Sequence, residues 1–305
     1  MAFRILITDV VHESLVEILS RKYMVFYRPG IERNRLEEEI EDKDVIIVRS
    51  RTRLNREVLQ RAKNLKLIIR AGIGLDNIDC EFARERGIEV RNTKNASINS
   101  VSELVIGFMI ALSRNILPLS NSTRSGKWDK DKFIGFELKG KNLGIIGTGN
   151  IGRSVALMAR FLGMNVFGFD PFNKGVSFIK YISFDEILSI SHFISIHVPL
   201  TEDTYHLINK RAVDKMRRGV FLINTSRGEV VDEEALVCGL KSGKISGCAL
   251  DVFETEPPEE SKLFEFDNCI FTPHIGGNTE EAKRKIKDEI IEILKEFEVV
   301  FPHGV

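Results

Sequence analysis

The sequence predicts an α/β chain built from two doubly wound parallel-sheet domains, on three observations. Short apolar, β-branched runs alternate with amphipathic helical stretches along the chain. Its 305 residues correspond to about two domains of ordinary size. A glycine-rich turn near the middle opens a second strand–helix series.

Composition narrows the function classes. Hydrophobic residues make up 43% and charged residues 29%, as in an ordinary globular protein. Lys+Arg and Asp+Glu number 44 each, so no net charge argues for a nucleic-acid or membrane-surface partner. No apolar run approaches the roughly 18 residues of a spanning helix. "MAFRILITDV" reads as a first strand and not a signal peptide, because Asp9 soon follows its short apolar run. Cys80, Cys238, Cys248 and Cys269 show no metal-binding spacing. With no export signal, they point to free thiols in a reducing cytoplasm and to no metal.

In chain order, "FRILITD" (3–9), "DVIIVRS" (44–50) and "LKLIIRAG" (65–72) are expected to be buried parallel strands. "HESLVEILSRK" and "NREVLQRAKN" carry apolar residues at helical spacing between them. Residues 99–126 form one long helical segment, apolar from Val105 to Leu112. It suits a domain contact, a subunit interface or the core of one domain. Six further strands are expected in "NLGIIGTG", "MNVFGFD", "HFISIHVP", "GVFLINTS", "ISGCALDV" and "NCIFTPH". A last helix, about Glu280 to Phe297, places Ile286, Ile290, Ile293, Leu294 and Phe297 on one face, with Asn278 as N-cap and Glu281 as its acidic partner.

Gly147, Gly149 and Gly152 form GxGxxG after an apolar strand and before a helical pattern. The first suits a tight turn, the second lets the backbone approach a pyrophosphate, and the third allows close helix–strand packing. Asp170 ends the next strand. A carboxylate there accepts ribose hydroxyls and repels a 2′-phosphate, which favours NAD over NADP.

Later strand ends supply reactive groups. Arg227, in "INTSRGEVVDEEAL", suits a guanidinium fork onto a substrate carboxylate. "CALDVFETEPP" offers Asp251, Glu254 and Glu256, and "FTPHIGGNTEEA" offers His274. One histidine with one carboxylate makes a good base for an alcohol proton. His12, His192, His206 and His303 lack such surroundings and receive no role. Glu254 is expected to be solvated.

The ordered series "RAGIGLDNID", "GIIGTGNIG" to Asp170, "HVPLT", "INTSRGEVVDE", "ALDVFETEP" and "TPHIGG" resembles the D-isomer-specific 2-hydroxyacid dehydrogenase family over nearly the whole chain. The resemblance implies a Rossmann-type cofactor domain at 96–277. It also implies a flavodoxin-like substrate domain from 1–95 and 278–305. It puts the family's catalytic Arg, Glu and His on Arg227, Glu256 and His274. It sets Asp251 at the nicotinamide carboxamide, Asn150 and Ile151 at the pyrophosphate, and Thr225 and Ser226 beside the nicotinamide. His197, Val198, Gly276, Gly277 and Ile73 also border the cofactor in this reading. Gly72, Gly74 and Asn95 match the lip that grips the substrate carboxylate.

"VIIVRSRTRLN" resembles the phosphoglycerate dehydrogenases of that family, with Arg49 on the substrate phosphate and Arg51 and Arg53 as helpers. "SGKWDKDKFIGFEL" resembles them too, and brings Lys130 or Lys132 toward a neighbouring subunit. The implied substrate is D-3-phosphoglycerate, a phosphorylated 2-hydroxy acid, handled by a homodimer at the entry to serine biosynthesis. The chain ends where the family's catalytic core ends, so no serine-binding regulatory domain is expected. A glyoxylate/hydroxypyruvate reductase, using the same catalytic set without a phosphate clamp, is the alternative. An NAD(H)-sensing corepressor is the alternative outside enzymes.

Overall fold

A computed structural model describes residues 2–172 and 175–300; His303 lies outside them. The chain divides into two compact units, Met1–Ser97 with Gly277–Val305, and Ile98–Gly276.

The first unit runs β1 (Arg4–Ile7), α1 (Glu13–Ser20), β2 (Met24–Tyr27), α2 (Arg33–Glu39), β3 (Val45–Val48), α3 (Arg56–Arg61), β4 (Leu67–Arg70), α4 (Cys80–Glu85) and β5 (Glu89–Asn92). Its strands form one all-parallel sheet in the order β2-β1-β3-β4-β5, the flavodoxin-like order. Every residue of β3 and β4 is buried, because both faces of a parallel sheet are covered and its central strands read as unbroken apolar runs. On one face Ile5, Ile7, Val45, Ile47, Leu67 and Ile69 pack with Leu15 and Leu19 of α1 and with the C-terminal helix. On the other, Leu6, Ile46, Val48 and Ile68 meet Leu36, Val58, Leu59 and Phe82. The edge strands β2 and β5, absent from the sequence expectation, are only partly buried.

The second unit runs α5 (Ile98–Ser113), α6 (Ile116–Arg124), β6 (Asn142–Ile146), α7 (Asn150–Phe161), β7 (Asn165–Phe169), β8 (Lys180–Tyr181), α8 (Phe184–Ile190), β9 (Phe193–Ile196), α9 (Lys210–Lys215), β10 (Val220–Asn224), α10 (Glu233–Lys241), β11 (Ile245–Leu250) and β12 (Ile270–Phe271). Its all-parallel order is β12-β11-β10-β9-β6-β7-β8. The chain winds outward through β7 and β8, then crosses to the other side of β6 at β9. That reversal opens a crevice at the strands' carboxyl ends, where ligands bind in such sheets.

The 99–126 segment is not one helix. It breaks at Asn115, whose φ of 49° is left-handed, a conformation asparagine tolerates better than most residues. Pro118 falls in the first turn of α6, where no helical N–H is lost. Val105, Phe108, Met109 and Leu112 of α5 pack with Leu143, Ile145 and Val155, so α5 is a core helix of its own unit. α6 has no buried residue.

The chain returns to the first unit as α11 (Glu280–Val300), with Ile286, Ile290, Ile293, Leu294 and Phe297 buried as the periodicity predicts. Its cap is Thr279, whose Oγ1 accepts from the Ala282 N–H at 3.1 Å, and not Asn278. Ala282 therefore holds the third helical position and Glu281 the second, so Glu281 closes no capping box. Among the described residues no single helix is long and apolar enough to cross a membrane.

Candidate active site

The turn after β6 is shaped by its glycines. Gly147 has φ of 89°, and a Cβ there would sit 2.5 Å from the His197 carbonyl oxygen. A Cβ at Gly152 would overlap the Gly147 carbonyl, whereas at Gly149 nothing lies within 4 Å. Gly149 is also the N-cap of α7, which Asn150 and Ile151 open. The open space thus faces a helix N-terminus, the setting that binds phosphates.

Asp170 follows β7. Its Oδ2 accepts from the Thr148 N–H at 2.8 Å and the Thr148 hydroxyl at 3.2 Å, and its Oδ1 accepts from the Phe172 N–H at 3.0 Å. The Tyr181 hydroxyl donates to Thr148 Oγ1 at 3.1 Å. A carboxylate has about four acceptor positions, so Asp170 is oriented and retains capacity for a ribose hydroxyl. Past β9, His197 Nε2 lies 2.8 Å from Ser195 Oγ, with Val198 packed against the core. The His197 residue keeps some exposed surface, but its ring is packed away from water. That burial pushes its pKa down to about 3, which keeps it neutral. At the end of β10 the Thr225 hydroxyl is buried without a protein partner, while Ser226 Oγ donates to Asn224 Oδ1 at 2.7 Å. Cradle, oriented carboxylate and orphan hydroxyl together fit a dinucleotide.

His274 Nδ1 and Glu256 Oε2 are 2.9 Å apart, with side chains 37% and 39% exposed. The other Glu256 oxygen accepts from the Phe253 N–H at 3.3 Å. Partial burial raises the Glu256 pKa, but the hydrogen bond and charge of His274, the Phe253 N–H and the Arg227 guanidinium outweigh it and leave the carboxyl below its ordinary range. Facing a carboxylate, Nδ1 carries the ring proton and Nε2 is left free as a base. Arg227 leaves β10 with its carbonyl held by Asn224 Nδ2 at 2.7 Å and its guanidinium on the Ser226 carbonyl at 2.6 Å.

Asp251 does something the sequence did not announce. It is 1% exposed, and its Oδ1 accepts from Thr272 Oγ1 at 2.5 Å and the Ile275 N–H at 2.8 Å. Its Oδ2 accepts from the Gly276 N–H at 2.7 Å. One carboxylate therefore ties down both sides of His274, whose φ of 53° bends the chain there. Gly277 belongs to the first unit.

In the first unit, Gly72 has φ of 148° and a Cβ there would strike the Arg70 guanidinium. The Ile73 carbonyl, just before Gly74, accepts from Asn92 Nδ2 at 2.5 Å. The Asn95 backbone partners Glu289, whose pKa is raised by burial and by Glu292. Arg49 donates its N–H to Asp9 Oδ2 at 2.6 Å and its guanidinium to the Val10 carbonyl at 3.4 Å. It lines a cavity of about 390 Å³ with His12, Glu13, Ala71, Glu280 and Lys283. The structure thus groups Arg227, Asp251, Glu256 and His274 in the second unit, and Arg49 with the Gly72 turn in the first. Among the described residues no His, Cys, Asp and Glu group could hold a metal ion.

Residues 106–276 match the family model for the NAD-binding domain of D-isomer specific 2-hydroxyacid dehydrogenases, more than half the chain. The chain belongs to that family. It is 43% identical over 299 residues to D-3-phosphoglycerate dehydrogenase of Methanocaldococcus jannaschii, covering 96% of this chain but 57% of that protein. It is also 43% identical over 300 residues to hydroxypyruvate reductase of Thermotoga maritima, covering 96% of this chain and 98% of that one. The chain thus spans little more than half of the first relative and nearly all of the second. The crystal structure of Aquifex aeolicus D-lactate dehydrogenase complexed with NAD and lactic acid matches with a TM-score of 0.87 at 31% identity, over 96% of this chain and 95% of that one. The matched family model is that of an NAD-binding domain, and the GxGxxG turn and Asp170 both lie within the matched residues.

Two expectations change. Glu254 keeps 33% of its side chain exposed but is more than a solvated carboxylate: its Oε1 accepts from the Glu233 N–H at 2.9 Å, and its own N–H donates to Glu233 Oε1 at 3.1 Å. His206 is not without surroundings, since it stacks on Tyr205 with ring centroids 4.1 Å apart and lies 3.2 Å from Glu254. The sequence hint for Glu254 was only its nearness to Glu256. Its partner stands 21 positions earlier, a distance no local pattern spans.

Proposed function

We propose that this dehydrogenase catalyses D-3-phosphoglycerate + NAD = 3-phosphohydroxypyruvate + NADH, the first step of serine biosynthesis. The observation that carries the chemistry is the 2.9 Å pair of His274 Nδ1 and Glu256 Oε2. His274 Nε2 takes the substrate's hydroxyl proton, and Glu256 stabilises the imidazolium that results. Arg227 engages the substrate carboxylate and polarises the adjacent carbonyl as it forms. NAD, when bound, supplies the hydride acceptor. Its phosphates lie on Gly147, Gly149, Asn150, Ile151 and Gly152 and its ribose on Asp170. Ile73, His197, Val198, Thr225, Ser226, Asp251, Gly276 and Gly277 surround the rest. Gly72, Gly74 and Asn95 hold the carboxylate end of the substrate.

In this reading residues 1–95 with 278–305 are the substrate-binding domain and 96–277 the NAD-binding domain. The phosphate goes to Arg49. Support comes from its cavity at the carboxyl ends of β1, β3 and β4, which Lys283 and His12 also line. The protein works as a homodimer through the 99–126 segment, where Ile110, Ile116 and Leu117 are exposed. It acts in the cytoplasm, where its free cysteines stay reduced.

A second reading, a glyoxylate or hydroxypyruvate reductase, has its own support. Glu13 and Glu280 line the same cavity as Arg49 and Lys283 and offset their charge. Arg49→Ala separates the two. A charge-assisted hydrogen bond contributes about 1.5–3 kcal/mol, so kcat/KM for D-3-phosphoglycerate falls about tenfold to hundredfold while glyoxylate reduction barely changes. Equal, small effects on both substrates favour the reductase.

A further inference from the structure

We infer that Glu254, joined to Glu233, is a positioning residue that keeps Glu256 aimed at His274; this rests on the dehydrogenase chemistry proposed above. The loop leaving β11 carries Glu256, and the turn leaving β10 carries Arg227. Two contacts lock the two together, and His206 lies beside them. At Gly228 there is no room for a Cβ, which would overlap the Phe253 carbonyl carbon and the Glu254 nitrogen, so the two backbones touch directly beside Arg227. Glu254 and Glu233 then exchange reciprocal bonds, each carboxylate accepting the other's backbone N–H at 2.9 and 3.1 Å. His206 packs beside both segments, its N–H donating to the Glu229 carbonyl at 2.8 Å and its ring near Glu254, with Nε2 3.2 Å from Oε1 but making no hydrogen bond.

The arrangement suits the charges. Glu233 is the first residue of α10, whose cap Asp232 accepts from the Ala235 N–H at 3.0 Å. The Glu254 carboxylate therefore sits at the positive end of a helix, on an N–H that has no partner within the helix. From there the effect reaches the reaction in one step, because the Phe253 N–H, adjacent to Glu254, holds the second oxygen of Glu256. Glu256 thus has one oxygen on this clamp and the other on His274. Glu254 itself holds none of the reacting groups. Its action is on geometry, and misplacing a reacting group by about 1 Å can cost roughly a hundredfold in rate.

The test uses the full chain with whichever of 3-phosphohydroxypyruvate, hydroxypyruvate or glyoxylate it reduces best. Glu254→Ala is expected to lower kcat about tenfold to hundredfold while the Kd for NADH, read by fluorescence, stays at the wild-type value. Glu254→Gln keeps an oxygen for the Glu233 N–H and is expected to recover most of the loss. Should Glu254→Ala fail to fold, Glu254→Asp, which retracts the same carboxylate, carries the same expectation. Turnover of the folded variant within about twofold of wild type overturns the inference, as does a kcat loss matched by weaker NADH binding and not recovered by Gln. His274→Ala, run alongside, keeps the two claims apart. If it turns over normally, the dehydrogenase reading itself falls. If it is inactive while Glu254→Ala is normal, only the positioning role falls.

Discussion

Replacing Glu256 with Gln isolates the charge of the His274–Glu256 pair, because the amide oxygen still accepts the Nδ1–H. Nδ1 and Oε2 are 2.9 Å apart, which puts the charge centres about 4 Å apart. Coulomb attraction at that distance is about 1 kcal/mol in water and about 4 kcal/mol at a typical surface dielectric. With side chains 37% and 39% exposed, the low end applies, about 1–2 kcal/mol. Each 1.36 kcal/mol is a factor of ten in rate, so kcat falls about tenfold near neutral pH. The acid side of the pH profile changes as well. Glu256 is depressed below its ordinary value of 4.5, so its contribution is complete above that value and disappears as pH falls through the depressed one. In Glu256→Gln that titration is gone. Initial rates of NADH consumption across the pH range, with NADH affinity measured separately, make the comparison. A variant within twofold of wild type at neutral pH would refute the role given to the carboxylate.

Two neighbouring glycines should fail in different ways. A Cβ at Gly149 meets nothing within 4 Å, so Gly149→Ala keeps the wild-type melting temperature but blocks the phosphates and weakens NADH binding. Gly152→Ala drives its methyl into the Gly147 carbonyl and loses stability by about 1–3 kcal/mol, read from urea midpoints. His197 predicts an acid sensitivity. Its pKa is lowered from 6.5 to about 3, so the unfolded chain binds the proton more readily. The stability held above 6.5 is therefore lost as pH falls toward 3. His197→Gln flattens the urea midpoints in that window relative to wild type, and parallel profiles for the two proteins refute the assignment.

The central strands were legible because β3, β4 and β6 are covered on both faces and so spell unbroken apolar runs. The edge strands β2, β5 and β8 spell MVFY, EVRN and KY, which no periodicity separates from loop. The break at Asn115 was hidden because one left-handed asparagine interrupts no apolar pattern. At the candidate site, GxGxxG with Asp170 was legible since turn, approach and packing each demand glycine at fixed spacing. Glu256 and His274 were legible as residue types, but composition and spacing left Asp251, Glu254 and Glu256 as rivals; the family resemblance singled out Glu256. Hydrogen bonds between distant segments separate their parts: Asp251 ties the His274 turn, Glu254 caps Glu233, and Glu256 holds the imidazole.

NADH formation from D-3-phosphoglycerate by the wild-type chain and His274→Ala, with NADH consumption on glyoxylate and hydroxypyruvate in parallel, tests the central claim most directly. Wild-type turnover is expected, with the phosphorylated pair preferred, and a loss of about 10²–10⁴-fold in the variant, with NADH binding unchanged. Turnover by His274→Ala within a few-fold of wild type, or tight NADH binding by the wild type without turnover of any of these acids, would contradict it.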